Sequence, residues 1–309
     1  MAVTACALVA GQASAAGYRA PRTANGAPDL QGIWTNLSLT RLERPAGIKD
    51  LILKDAEAPA VERRIIDKVA HPTDDEVGGH DSEWWDGASL ARIDGHARTS
   101  WIVSPADGKL PYTVEAQQRV SAKRAAVINA FDGPEDRTLS ERCLIASWGA
   151  AGPPILNSPY SANYQIVQTP DHVVILSELN DDVRIVRLNA RRPPATMRFL
   201  TGDSIGHWEK DTLVVETAGF QPGESYRTLP YLSSEARVIE RFTRVSPTEI
   251  RYEFSVEDPK IFKQVWRAEM PFLASKGPIY ESACHEGNYS MASILAGARQ
   301  AEARAKPAP

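Results

Sequence analysis

The sequence lacks the signatures of several common classes of protein. Its 309 residues contain no Walker loop, no G-x-G-x-x-G motif, no H-E-x-x-H motif and no internal repeat. The formal net charge is only −4, and no block of Lys or Arg forms a stripe. Neither a nucleic acid nor an acidic lipid surface is therefore predicted as a partner. After the N-terminus, no run reaches the roughly 18 apolar residues needed to cross a bilayer, so stable membrane insertion is not expected.

Charge is also missing at the N-terminus, where residues 2–16 carry none. The apolar stretch Cys6–Gly11 precedes Ala13-Ser14-Ala15, an A-x-A pattern typical of signal-peptidase cleavage. We therefore expect a signal peptide at residues 1–16, a linker at 17–28, and export to the periplasm or the extracellular space. A disordered alanine-rich tail and a lipoprotein site at Cys6 are the alternatives.

Cysteine is scarce, with three residues in the chain. Cleavage would remove Cys6 and leave only Cys143 and Cys284. In an oxidising compartment, a single pair is most simply a disulfide, and two buried free thiols are the alternative. Cys284 as a nucleophile beside His285 is a further alternative, although a disulfide would remove its thiolate.

The second half of the chain is rich in short β-type runs separated by turn residues such as Pro170-Asp171. No predicted helix between them is long enough for a parallel crossover. These runs predict a mainly β domain over residues 159–305, built as an antiparallel lipocalin-like barrel. The predicted strands are Tyr164–Thr169, Val173–Glu178, Val183–Leu188, Gly206–Trp208, Thr212–Thr217, Val238–Val245, Ile250–Val256, Val265–Met270 and Tyr280–Cys284.

Helices are predicted mainly outside this barrel. Residues 29–158 read as a region of helices and loops that wraps the barrel, with one helix over residues 55–70 and a second starting at Thr113. A last helix is predicted over Ser290–Arg304. Its inward face is expected to contain Met291, Ile294, Leu295 and Ala298.

The segment Cys284–Tyr289 holds the densest cluster of reactive side chains, where the predicted last strand meets the last helix. His285 is a candidate general base, and Glu286 is its candidate orienting group or an acid. Asn288 and Tyr289 are candidate substrate contacts. The alternative for this cluster is structural, with Asn288 or Ser290 capping the helix and His285 bonding to the backbone.

Carboxylates inside predicted strands are the second signal. Glu178, Glu216 and Glu240 each share a strand face with apolar residues. If those faces point into a barrel, each carboxylate needs a partner or a raised pKa. Arg184 and Arg241 are the candidate partners, and a ladder of ion pairs on the solvent face is the alternative.

These residues define the predicted site in the barrel. The candidate catalytic residues are His285, Glu178, Asp203 and Glu286. The candidate substrate-binding residues are Arg184, Tyr164, His207, Asn288, Tyr289 and Glu216. The predicted function is a cofactor-independent lyase, isomerase or hydrolase that performs acid–base chemistry on a small apolar or aromatic molecule, with no metal site. A non-catalytic periplasmic carrier and a structural envelope protein with a filled barrel are the alternatives.

The chain also contains longer distinctive strings: PDLQGIW (28–34), DGPEDR with RC (132–143), YQIVQTPD (164–171), GDSIGHWE with DTLVVET (202–217), ERFTRV (240–245) and ACHEGNY (283–289). Together they resemble an uncharacterised family of exported bacterial proteins over most of the mature chain. The resemblance implies export and suits a Cys143–Cys284 pair, but implies no mechanism. That family usually has Arg in place of His207 and Gly in place of Lys210, so neither residue is treated as essential.

Overall fold

The computed structural model describes residues 18–70, 88–221, 231–286 and 288–305, so the predicted signal peptide at 1–16 lies outside the described residues. The strands are β1 (Gly32–Thr35), β2 (Arg92–Ile93), β3 (His96–Ala97), β4 (Ile102–Ser104), β5 (Asn163–Gln168), β6 (His172–Ser177), β7 (Val183–Leu188), β8 (Asp203–Glu209), β9 (Thr212–Ala218), β10 (Arg237–Ser246), β11 (Glu249–Glu257) and β12 (Trp266–Ala274). The helices are α1 (Ala58–Ala70), α2 (Val114–Asn129) and α3 (Ser290–Ala305).

Nine strands form a closed barrel, which confirms the predicted architecture in its main feature. The strand order is β1, β5, β6, β7, β8, β9, β10, β11 and β12, and β12 then pairs with β1 to close the ring. The closing pair aligns Trp34 with Ala274 and Thr35 with Leu273. Closure satisfies the backbone groups that an open sheet would expose at its edges. Strand β4, from the N-terminal half, adds to β12 outside the ring.

The barrel is not wholly antiparallel, which corrects the expectation from the sequence. Strands β7 and β8 are parallel, with Val186 opposite Ser204 and Leu188 opposite Gly206. A parallel pair needs a connection of about a dozen residues or more to bring the chain back to the same end. The connection over residues 189–202 provides that length without a helix. The nine strands and the parallel pair also separate this barrel from the eight-stranded lipocalin type.

Large apolar side chains fill the interior of the barrel. Strand β11 illustrates the predicted alternation, because Ile250, Tyr252, Phe254 and Val256 are buried while the residues between them are partly exposed. Each large apolar side chain contributes roughly 1.5–3 kcal/mol when it is fully buried. The largest aromatic residues that point inward are Trp34, Tyr164, Phe242, Tyr252, Trp266 and Phe272.

The segment Tyr280–Cys284 is not a strand, although the sequence predicted one there. The barrel already closes with β12, so no position in the ring is left for this segment. Its backbone instead bonds to side chains of the β6–β7 connection. Tyr280 donates its N–H to Glu178 at 3.1 Å, and Ser282 donates to Asp181 at 3.3 Å.

The helices agree with their predicted positions. Thr113 caps α2 by accepting a hydrogen bond from the N–H of Ala116 at 3.1 Å. In α3, the partly buried residues include the four that were predicted to face inward, namely Met291, Ile294, Leu295 and Ala298.

None of the helices among the described residues has both the length and the apolar character that a membrane span requires.

Candidate functional site

The barrel interior contains a charged pair formed by Arg184 of β7 and Glu240 of β10. Both side chains are buried. Arg184 donates from Nη1 to Oε1 of Glu240 at 2.9 Å, contacts Oε2 through Nη2, and donates from Nε to Ser204 at 3.2 Å. Ser204 shares a further hydrogen bond of 2.7 Å with Thr217. This two-point contact is the strong form of an Arg–carboxylate pair, and it compensates both charges inside the core.

Two tyrosine hydroxyls are also used inside the barrel. Tyr252 donates to Oε1 of Glu240 at 2.6 Å and accepts from the backbone N–H of Ile155 at 2.8 Å. Burial, reinforced by the charge of Glu240, raises the pKa of Tyr252 well above its usual value. Tyr164 donates to the carbonyl of Ala150 at 3.1 Å, and burial raises its pKa as well. The hydroxyl protons of both residues are therefore bound to internal acceptors.

Asp203 and Glu216 lie on the outer face of the barrel, in a ladder of ion pairs. Asp203 accepts two hydrogen bonds of 2.8 Å from Arg187. Glu216 accepts from Arg237 at 2.7 Å and from Arg192 at 3.0 Å. The hydrogen bond from Arg237 is the main cause that lowers the pKa of Glu216. Glu216 therefore has the solvent-face arrangement that was the alternative for the strand carboxylates, and Asp203 shares it.

His207 lies on the same outer face, near the end of β8, and is exposed. Its Nε2 is 3.2 Å from Oε1 of Glu209. The other carboxylate oxygen of Glu209 accepts from Arg241 at 2.9 Å, and this bond is the main cause that lowers the pKa of Glu209. Arg241 thus pairs with a surface carboxylate rather than with one inside the barrel.

The C-terminal junction, defined as Cys284–Tyr289 with the residues that hold it, is tied to the rest of the chain by a disulfide. Cys143 and Cys284 are bonded, with their Cα atoms 5.7 Å apart. Asn288 adds a hydrogen bond of 3.2 Å from its side chain to the carbonyl of Glu141. The predicted pairing of the two cysteines is therefore present in the structure.

Glu178 also serves this junction. Its carboxylate accepts from the side chain of Asn163 at 2.6 Å and from the N–H of Tyr280 at 3.1 Å. The side chains of His285, Glu286 and Tyr289 are exposed to solvent.

The predicted site residues therefore fall into three separate places. The structure brings Glu178 to the segment that leads to His285, and it brings Arg184 to Glu240 inside the barrel. Asp203, Glu216 and His207 share the outer face of β8 and β9. None of the ten predicted catalytic and substrate-binding residues lines the groove on the outer face of β1, β11 and β12.

A groove of about 480 Å³ lies on the side of the barrel. One wall is the outer face of β1, β11 and β12, and the other is formed by residues 36–38 and 89–95. We call it the side groove. Apolar and charged residues both line it, among them Leu90, Pro271, Leu273, Asp94, Glu249 and Arg251. Concave sites of this size, mainly apolar with a few polar groups, are typical of small-molecule binding.

The charged residues of the side groove are less completely paired than those of the barrel interior. Arg251 forms an ion pair with Asp94, which is half exposed. No described residue forms a hydrogen bond with the carboxyl of Glu249. Burial raises the pKa of Glu249, and the negative charge of Asp94 adds to the rise while Arg251 opposes it.

The side chain of Asn36, next to the groove, is directed into the barrel. Asn36 is 3% exposed, and its Nδ2 contacts the sulfur of Met270, an inward-facing residue, at 3.7 Å. Its Oδ1 is enclosed by protein and accepts no hydrogen bond from any described residue. Leaving a buried acceptor without a partner costs about 1–3 kcal/mol, and that cost falls on the barrel interior.

The side groove was not predicted from the sequence, although the sequence has a signal for one of its walls. Asp94-Gly95 is a dipeptide typical of two-residue hairpin turns, and both residues adopt the positive φ that such a turn requires, 52° and 79°. The turn joins β2 to β3, with Ile93 opposite His96. It thereby places Asp94 against β11, where Arg251 binds it.

Comparison with protein-family models and with curated proteins found no match for this chain. The resemblance in its strings therefore stays a prediction, and the function rests on the geometry.

Proposed function

We propose that this protein is an exported, non-catalytic carrier that binds a small amphipathic molecule in the side groove, on a barrel that serves as a filled scaffold. The observation that carries the proposal is the groove itself, a concavity of about 480 Å³ whose lining includes apolar side chains and the carboxyl of Glu249, to which no described residue donates a hydrogen bond. A ligand with a hydrogen-bond donor would satisfy that carboxyl. The carrier thus retains one lipocalin-like property, ligand binding on a barrel, but places the ligand outside the lumen.

The barrel interior is filled by side chains, and this favours a ligand in the side groove over a ligand at the predicted site inside the barrel. The interior carboxylate, Glu240, already receives hydrogen bonds from Arg184 and Tyr252. A ligand in the lumen would have to displace aromatic side chains that are fully buried. Interiors packed in this way tolerate little added volume, because overpacking typically costs about 1–3 kcal/mol.

The disulfide supports the export part of the proposal. Disulfides persist in oxidising compartments and are rare in the reducing cytosol. The Cys143–Cys284 bond is therefore expected in a protein of the periplasm or the extracellular space.

An acid–base enzyme that acts in the side groove is the second candidate, and Glu249 is the observation that favours it. A carboxyl with a raised pKa beside a concave site is a candidate proton donor. The two functions differ in what happens to the bound compound. An enzyme would convert it at a rate that Glu249→Gln abolishes, whereas a carrier would release it unchanged.

The test uses N-phenyl-1-naphthylamine, an uncharged amphipathic fluorophore. Its fluorescence should rise when it binds to the wild-type protein. Leu273→Trp adds volume inside the side groove and should weaken dye binding about tenfold or more. Ile185→Trp is the matched control, because Ile185 is also an exposed apolar residue on the outer face of a strand.

Two results would contradict the proposed function. The first is a dye that does not bind to the folded wild-type protein. The second is a dye whose affinity is unchanged by Leu273→Trp, or is lowered equally by Ile185→Trp, because binding would then occur elsewhere on the barrel.

A further inference from the structure

The outer face of β5, β6 and β7 carries an apolar patch that is separate from the side groove. We call it the outer patch, and it consists of Val167, Val174, Leu176, Val183 and Ile185. We propose that the outer patch is the interface of a homodimer, in which it packs against the same patch of a second copy of this chain.

The register of the three strands makes the outer patch continuous. One row across the strands aligns Leu176 with Val183, and the next row aligns Val167 with Val174 and Val174 with Ile185. Neighbouring strands lie about 4.8 Å apart, and residues on one face recur about every 7 Å along a strand. The five side chains therefore lie side by side on one surface.

Solvent exposure distinguishes the outer patch from an ordinary strand surface. Val183 and Ile185 are 59% and 54% exposed, and Val167 is 41% exposed. Apolar residues scattered singly on a surface are normal, whereas a contiguous group marks a surface that binds another molecule. None of the five residues lines the side groove, so the outer patch calls for a partner of its own.

The connection between β7 and β8 enlarges the apolar surface. Because Ser204 lies opposite Val186, this connection enters β8 next to Ile185. It carries three more exposed apolar residues, Met197, Phe199 and Leu200. A stable interface buries about 800 Å² on each partner, with an apolar centre and a polar rim. The outer patch and the connection supply the centre, and the polar residues beside them supply the rim.

Two unpaired charges at opposite ends of β7 indicate which partner fits. Asp181 precedes β7 and Arg191 follows it, and both are exposed. Neither forms an ion pair with any described residue. Arg187 donates to the carbonyl of Arg191 at 3.1 Å, which keeps Arg191 near the end of the strand. The carboxylate of Asp203, at 2.8 Å, already pairs with Arg187 itself.

A second copy of the chain matches this arrangement because most homodimers have two-fold symmetry. In such an interface the same surface is used twice, and the two copies are related by a half-turn. A half-turn about an axis through the middle of the outer patch exchanges the two ends of β7. The apolar rows of the two copies then meet, and Asp181 of each copy faces Arg191 of the other.

An anionic membrane is the rival partner, because the connection also carries Arg198 beside Met197 and Phe199. Basic residues around exposed apolar ones are typical of surfaces that bind anionic lipid. The acidic Asp181 at the rim would oppose such binding, whereas it has a matching Arg191 in the homodimer. The charges of both signs therefore favour a second copy over a membrane.

The experiment is sedimentation equilibrium of the full-length protein at about 1–100 μM, a range that includes the weaker specific interfaces. The wild-type protein should have twice the mass of one chain. Ile185→Asp places a charge in the centre of the interface twice, once from each copy. It should raise the dissociation constant about 100-fold or more. Far-UV circular dichroism checks that the variant is folded.

Leu273→Asp is the matched control. Leu273 is exposed to a similar extent, 46%, and also lies on the outer face of a strand. Its strand, β12, is four positions away from β7 around the ring, so the substitution should leave the dissociation constant unchanged.

A pair of charge variants tests the two-fold arrangement without placing a charge in β7. Arg191→Glu brings like charges together at both ends of the interface and should raise the dissociation constant about tenfold. In the background Asp181→Asn, the same substitution should change it by less than about threefold, because the repelling charge is gone. Asn tolerates the positive φ of 51° at this position, so the background variant keeps the backbone.

Three results would overturn the proposal. The first is a wild-type protein that stays monomeric over the whole concentration range. The second is a dimer that persists in Ile185→Asp, or that Leu273→Asp dissociates equally. The third is a monomer that binds vesicles of phosphatidylglycerol and loses this binding in Ile185→Asp, because the partner would then be a membrane. An effect of Arg191→Glu that is the same with and without Asp181→Asn would overturn the two-fold arrangement.

Discussion

The barrel interior and the side groove both place arginine next to carboxylate, yet the two regions treat their charges differently. In the interior, Glu240 receives hydrogen bonds from Arg184 and Tyr252, and Arg184 also bonds to Ser204. In the side groove, no described residue donates a hydrogen bond to the carboxyl of Glu249. A complete network belongs to the scaffold, and an incomplete one beside a cavity leaves room for a ligand.

The two regions also differ in how deeply their carboxylates are buried, and this difference supports the same division between scaffold and binding site. The carboxylate of Glu240 is fully buried, so its partners must be supplied by the protein. Asp94 is half exposed and water can solvate it when the groove is empty. The interior therefore contributes to a unique packing, while the groove keeps groups that can exchange water for a ligand. Substitutions in the first region should change stability, and substitutions in the second should change binding.

The largest effect is expected from Glu240→Ala. The substitution leaves Arg184 buried without its counter-ion and should lower the free energy of unfolding by about 3–5 kcal/mol. Urea denaturation measures the loss. The affinity of the side groove for N-phenyl-1-naphthylamine should stay within about twofold in the folded protein, because Glu240 lies inside the barrel.

The double variant Arg184→Met with Glu240→Leu is the control for that prediction. It removes both charges and fills the space with apolar groups, so most of the lost stability should return. If the double variant is as unstable as Glu240→Ala, the interior pair itself stabilises the fold and the comparison must be revised.

A smaller effect is expected from the double variant Cys143→Ala with Cys284→Ala. The bond joins residues separated by 141 positions. Chain entropy alone would predict about 5 kcal/mol, and measured losses are typically about 2–4 kcal/mol. We expect a loss in the measured range by urea denaturation, with dye binding unchanged because the junction does not line the groove. A large fall in dye affinity would mean that the C-terminal junction shapes the groove.

The smallest effect is expected from Glu249→Gln, and its size depends on pH. The pKa of Glu249 is raised in the folded protein, so the stability linked to its proton is full in acid and is lost as the pH rises through that pKa. The variant should therefore equal the wild type near pH 3.5 and exceed it at pH 7. The gain should be less than about 1 kcal/mol, because solvent screens a half-exposed carboxyl. Thermal unfolding at the two pH values measures it, and a loss of stability at pH 7 would contradict the assignment.

The strands could be predicted from the sequence because two local signals agreed. Alternation in Ile250–Val256 and turn residues such as Pro170-Asp171 define β-runs without knowledge of their neighbours. The parallel β7–β8 pair could not be predicted in this way, because direction depends on where the chain travels between residues 189 and 202. The same holds for Tyr280–Cys284, whose composition suits a strand but whose place in the ring was already taken by β12.

The inward faces were harder to predict because both faces of some strands are apolar. Val183 and Ile185 of β7 are exposed at 59% and 54%, while Arg184 between them is buried. Hydrophobicity alone therefore does not decide which face of β7 points inward, because each face has two apolar residues and one Arg. The sequence correctly raised Arg184 as a candidate partner for a strand carboxylate. It could not select Glu240 over Glu216, because that choice is made by pairing across several strands.

The side groove was beyond sequence reasoning for a similar reason. Its walls come from residues 35–38, 89–95, 245–251 and 271–273, which meet only after the barrel closes. Apart from the Asp94-Gly95 turn, none of these stretches has a motif. A site on the outer wall of a barrel cannot be recognised from the alternation of polar and apolar residues, because outward-facing residues are expected to be polar in any case.

The most direct test of the account is to locate bound N-phenyl-1-naphthylamine by methyl NMR of the full-length protein. The account predicts that the methyl resonances of Leu90 and Leu273 in the side groove shift, while those of Ile166, Ile175 and Val186 inside the barrel stay fixed. Shifts confined to the three interior residues would place the ligand in the lumen and contradict the account.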